Sequence, residues 1–114
     1  MHEVDPTNVY LSVVTLGELR AGIELLKDKS RAAALESWLT SDLPARFIGR
    51  ILPFDADVAD RWGRLVAAGK ARHITYSPID SVIAATALHY NLSVVTRNGK
   101  DFDRTGVSIT NPWS

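Results

Sequence analysis

The stretch Val9-Tyr10-Leu11-Ser12-Val13-Val14-Thr15-Leu16-Gly17-Glu18 passes from a β-branched and aromatic run into a helical pattern with almost no loop between them. Such side chains pack well on a pleated surface, so residues 9–14 are expected as a buried strand and Thr15 as the N-cap of the helix it feeds. Leu16, Leu19, Ile23 and Leu26 then recur at helical spacing, and Ser30 is placed to cap a second helix with Leu35, Trp38 and Leu39 turned inward. The alternation repeats downstream. Residues 50–54 read as a short strand, and Asp55 as the cap of a helix carrying Val58, Trp62, Leu65 and Val66, ended by Gly69. The opposite face of that helix, with Asp57, Asp60, Arg61 and Arg64, is polar. Pro78 suits the first position of a helix running to Tyr90 that is apolar nearly all round and therefore central. Residues 92–96 and 107–110 complete the set as strands. Strands alternating with helices predict an α/β fold, a parallel sheet with helices on both faces.

At 114 residues the chain has room for one domain, residues 1–114, with one core. Thirteen basic residues balance thirteen acidic ones, so affinity for nucleic acid has to come from local patches rather than from the overall field. Cysteine is absent, which excludes disulfides, thiolate metal sites and cysteine nucleophiles and is compatible with a reducing cytoplasm. The first six residues lack a basic-then-apolar leader pattern and no apolar run approaches membrane-spanning length, so an intracellular, cytoplasmic protein without a membrane partner is expected.

The chemistry-bearing residues are acidic. Glu18 and Asp80 each occupy the fourth position of a helix-starting box, Thr15-Leu16-Gly17-Glu18 and Ser77-Pro78-Ile79-Asp80, and Asp101 and Asp103 follow the strand-like Val94-Val95-Thr96. Each has a structural explanation: a Glu three residues past a cap reaches back to the cap's N–H, and a loop aspartate is commonly solvated. Asp80 is a poorer box partner because Asp is shorter, and its apolar helix is expected to enclose it. In an α/β fold, helix N-termini and the ends of strands gather at one sheet edge, where Glu18, Asp80 and Asp101 would repel unless a hard cation joined them. Mg²⁺ or Mn²⁺ suits such a carboxylate set, and hydrolysis of a phosphodiester is the natural chemistry.

Other constellations carry less. His2, His73 and His89 have no metal-ligand spacing, and His89 is placed as a partner of its helix dipole. The serines lack a nucleophile elbow and no glycine-rich phosphate loop follows a strand. Lys70, Arg72, His73, Arg97, Lys100 and Arg104 would form a phosphate-binding rim, or else a solvated surface.

Three segments together resemble the PIN-domain family, in particular the VapC-like toxin branch of bacterial VapBC toxin–antitoxin modules. They are Val9 through Ile23, Pro78-Ile79-Asp80-Ser81-Val82-Ile83-Ala84-Ala85-Thr86-Ala87, and Val95-Thr96-Arg97-Asn98 through Asp101-Phe102 with Asn111-Pro112-Trp113. The resemblance implies a three-layer α/β/α sandwich with a central parallel sheet, a metal-dependent endoribonuclease acting on an RNA substrate, and restraint by a cognate antitoxin. It also implies assembly as a homodimer. Carried over by position, Glu18 and Asp80 are the family's second and third acids, and the fourth falls on Asn98 or Asp101, with Thr96 or Asn98 as polar support and Arg97 and Lys100 against RNA.

Two departures accompany the resemblance. Where some members carry an acid, this chain has Asn98. The family also opens with a strand ending in Asp-Thr-Asn, and Asp5-Pro6-Thr7-Asn8 is no match because no apolar strand precedes it. An N-terminally truncated domain is therefore expected, with its first strand missing, one ligand fewer, RNA cleavage far slower than that of an intact member or none at all, and an open sheet edge that a homodimer or strand-swapped oligomer would fill. The rival expectations are a non-catalytic interaction module that binds an antitoxin or partner chain, and a small-molecule-binding α/β domain should the acids prove to be caps.

Overall fold

The computed structural model describes residues 9–96 and 98–110. They form an α/β protein of two compact units, one of Val9–Leu52 and one that takes in Pro53 onward. Among the described residues no helix is long and apolar enough to cross a membrane.

In the first unit, strand β1 (Leu11–Ser12) pairs in parallel with β2 (Ile51–Leu52), Leu11 opposite Ile51 and Ser12 opposite Leu52. The strand is shorter than its β-branched composition predicts, because Ser12 rather than Thr15 caps helix α1 (Val13–Glu24). The Ser12 Oγ accepts from the Val14 N–H at 3.1 Å, which satisfies one of the free donors of the first turn and draws Val13 and Val14 into the helix. Helix α2 (Lys29–Ser37) is likewise capped two residues earlier than Ser30, by Asp28, whose carboxylate accepts from the Arg31 N–H. It runs on through a π-helical turn, Trp38–Asp42, into α3 (Leu43–Arg46). Pro44 has no N–H to return to the Thr40 carbonyl, and the Thr40 hydroxyl bonds back to the Glu36 carbonyl at 2.9 Å, so the helix widens here instead of breaking. Ile23, Leu39 and Leu43 are the buried centre, packed by Leu16, Leu19, Leu35 and Trp38 as the helical spacing predicts. Leu26 is only half-buried.

In the second unit, α4 (Ala56–Ala71) starts where expected, with the Asp55 carboxylate accepting from the Val58 N–H at 3.0 Å. Its end differs. Gly69 does not stop the helix; it lies in the last turn, and the left-handed position is taken by His73 at φ 61°. The Ile74 N–H reaches the Gly69 carbonyl and the His73 N–H the Lys70 carbonyl, the two bonds of a Schellman motif. Gly69 is needed for another reason, since a Cβ there would overlap the Tyr76 ring. That ring donates its hydroxyl to the Arg104 carbonyl at 2.7 Å. Gly69→Ala is accordingly expected to destabilise by about 1–3 kcal/mol through overpacking, read as a lower denaturant midpoint at unchanged slope.

Helix α5 (Pro78–His89) begins at Pro78 and is the buried centre of this unit, with Ser81, Ala84, Ala85, Thr86 and Ala87 inaccessible. Its end repeats the Schellman pattern, with Asn91 at φ 57° and the Leu92 N–H on the Ala87 carbonyl. Strand β3 (Val94–Val95) pairs in parallel with β4 (Ile109–Thr110). Ala84, Ala87, Val94, Phe102 and Val107 close the core. Parallel strands between helices are as expected, but among the described residues they hydrogen-bond as two separate pairs rather than one continuous ladder.

Candidate functional site

Because α1 starts at Val13, Glu18 lies in its second turn and not at the third position after a cap, so the capping box expected at Thr15 does not exist. Glu18 is exposed, and among the described residues no hydrogen bond or ion pair holds it. The nearby Arg20 is committed elsewhere, to Glu24 at 3.4 Å and Glu36 at 3.2 Å.

Asp80 stands at the third position of α5, where its charge complements the positive end of the helix. The second expected box is also unformed, since Ser77 is the N-cap but makes no side-chain capping bond. Asp80 is half-buried, less enclosed than its apolar helix led one to expect, and among the described residues no group pairs with its carboxylate. Its neighbour Ser81 is 1% exposed and fully used: the Oγ donates to the Pro78 carbonyl at 2.8 Å and accepts from Trp62 Nε1 at 2.9 Å. That bond fixes the first turn of α5 against α4, and local sequence spacing does not report it because Trp62 and Ser81 lie 19 residues apart.

Asp101 lies on a 3-10 turn, Gly99–Phe102, that packs against α5. Buried Phe102 anchors the turn, leaving Asp101 and Lys100 exposed. Half-buried Thr96 shapes the approach, its hydroxyl accepting from the Asn98 N–H at 3.0 Å, while the Asn98 carbonyl accepts from the Asp101 N–H. Arg97, His2, Asp5 to Asn8 and Asn111 to Trp113 lie outside the described residues. Of the expected cationic rim, Lys70, Arg72, His73, Lys100 and Arg104 are exposed. His89 closes α5 as expected, stacked edge-on against Tyr90.

Asp80 and Asp101 thus sit on elements that pack together in one unit, and Glu18 belongs to the other. Among the described residues no three His, Asp or Glu side chains gather closely enough to hold a metal ion. Among the described residues none of the three carboxylates is spent on a protein partner, so each keeps the oxygen-donor chemistry that suits a hard cation.

The comparisons with known proteins agree with one another. A family model described as the PIN domain matches residues 2–107. Toxin FitB of Neisseria gonorrhoeae is 37% identical over 106 residues, covering 93% of this chain and 76% of that protein. VapC ribonuclease Y4jK of Sinorhizobium fredii is 33% identical over 105 residues, covering 92% and 75%. The crystal structure of FitAcB from Neisseria gonorrhoeae superposes with a TM-score of 0.89 at 35% identity, over 96% of this chain and 79% of that one.

Proposed function

Since the chain belongs to the PIN-domain family, we propose that it is a metal-dependent endoribonuclease toxin, hydrolysing RNA phosphodiesters in the cytoplasm and restrained by a cognate antitoxin. The observation that carries this is the state of the two helix-borne acids. Glu18 and Asp80 occupy box-like sequences, yet neither joins a capping box and neither has a partner among the described residues. In a chain similar to a named VapC ribonuclease, carboxylates left without a partner on two helices are available as oxygen donors to a hard cation. Glu18, Asp80 and Asp101 would hold Mg²⁺ or Mn²⁺ as oxygen donors. When bound, such an ion lowers the pKa of a water and steadies negative charge on a phosphate.

The remaining roles fall to the loop after β3. Lys100, with Arg97 beside it in sequence, binds the RNA backbone as a point charge, and Thr96 holds Asn98 and hence the start of the Asp101 turn. The two units act as one domain of residues 1–114, a reading supported by the unbroken family match across both. The chain assembles as a homodimer.

A second role has one observation in its favour. The lack of a three-ligand cluster among the described residues suits a non-catalytic module that binds an antitoxin or partner chain. Incubating single-stranded RNA with the chain and Mn²⁺ separates the two. Endonucleolytic cleavage that a chelator stops is expected; cleavage indistinguishable from the chelated control over the whole Mn²⁺ range would leave the interaction module as the better account.

A further inference from the structure

Asp57, Asp60, Arg61 and Arg64 fall at helical positions i, i+3, i+4 and i+7 of α4, so they form one stripe along the helix. All four are exposed, and with Leu65 and with Leu88 and His89 of α5 they line an open groove of about 410 Å³. The order of charge along the stripe is two negatives followed by two positives, with the positions symmetric and the signs reversed about the midpoint between residues 60 and 61. A second α4 laid antiparallel across it, with the two-fold axis at that midpoint, sets Asp57 opposite Arg64 and Asp60 opposite Arg61. Each acid then meets an arginine of the other copy, and each pair occurs twice. Turning the partner helix parallel in the same register sets every charge against its own kind.

Within one copy, Arg64 Nε already holds Asp60 Oδ2 at 3.0 Å, but the side chains are 82% and 67% exposed, so the pair contributes little and can exchange partners. Half-buried Leu65 and Leu88 pack against the core beneath and supply the apolar floor that the charges flank. We propose that this face of α4 docks a second copy of the chain through antiparallel α4–α4 contact. The proposal rests on the homodimer named above and identifies the surface that makes it.

Sedimentation equilibrium on the full chain at low salt tests it, with Asp60→Arg and the charge swap Asp60→Arg/Arg61→Asp alongside. Asp60→Arg sets arginine against Arg61 of the other copy twice, and is expected to weaken dimerisation by about tenfold or more. The swap reverses both members of that pair and is expected to restore dimerisation to within about threefold. Circular-dichroism melts of both variants check that they remain folded. A dimeric parent with Asp60→Arg unchanged, or with a swap that restores nothing, overturns the α4 interface while leaving the dimer standing. A parent that is monomeric at every concentration overturns the dimer itself.

Discussion

Replacing Asp80 with Asn, or Glu18 with Gln, is expected to lower Mn²⁺-dependent RNA cleavage about a hundredfold or more with the thermal melt nearly unchanged. The separation of the two readouts follows from the geometry. Among the described residues neither carboxylate has a hydrogen-bond or ion-pair partner, so its neutralisation removes no such contact. A capping role would behave oppositely, since loss of a cap costs about 1 kcal/mol and leaves chemistry alone. Calorimetric titration supplies an independent reading, with Mn²⁺ binding weaker in Asp80→Asn than in the parent. Undiminished cleavage and unchanged metal affinity in either variant would remove that residue from the site. A clear fall in melting temperature would return it to a structural role.

The two boxes show what sequence patterns disclose and where they mislead. Thr15 and Glu18 match a capping box in spacing and residue type, but Ser12 competes for the same helix start and wins by satisfying the Val14 N–H. Nothing in the local pattern ranks two potential caps three residues apart, and Asp28 against Ser30 is the same case. At α4 and α5 the starts are legible because Asp55 follows directly on the strand-like run ending at Phe54 and Pro78 suits only the first helical turn. The ends were less so. Gly69 looks like a terminator, whereas its small size is demanded by the Tyr76 ring, a partner seven residues on that periodicity does not report. The four strands are legible in order and in parallel pairing, yet among the described residues each is a two-residue ladder, because β-branched composition marks where a strand suits and not how far a partner accompanies it. Residue type and position single out the three acids as candidates, whereas no local pattern reports that Thr96 organises the turn carrying Asp101 through the Asn98 N–H.

Trp62→Ala is expected to be the most damaging single truncation in the second unit, at about 3 kcal/mol, which for a chain of this size lowers the melting temperature by roughly 12 °C or more. Trp62 sits one turn beyond Val58, which is wholly inaccessible, and packs edge-on against Phe54 with ring centroids 6.3 Å apart. Its indole N–H is the donor that ties α4 to Ser81 in the first turn of α5. Truncation therefore removes apolar contact and a hydrogen bond at once. Trp62→Phe keeps most of the ring and leaves Ser81 its bond to the Pro78 carbonyl, so it is expected to cost only about 1 kcal/mol. Ser81→Ala leaves the indole N–H half-buried without its acceptor and is expected to cost about 1–2 kcal/mol. The double variant Trp62→Phe/Ser81→Ala should cost clearly less than the two singles added, because the bond is lost only once. Since Ser81 adjoins Asp80, the same bond holds the backbone from which the Asp80 carboxylate projects. Strict additivity of the two singles, or a Trp62→Ala variant within about 1 kcal/mol of the parent, would show that this bond does not fix α5.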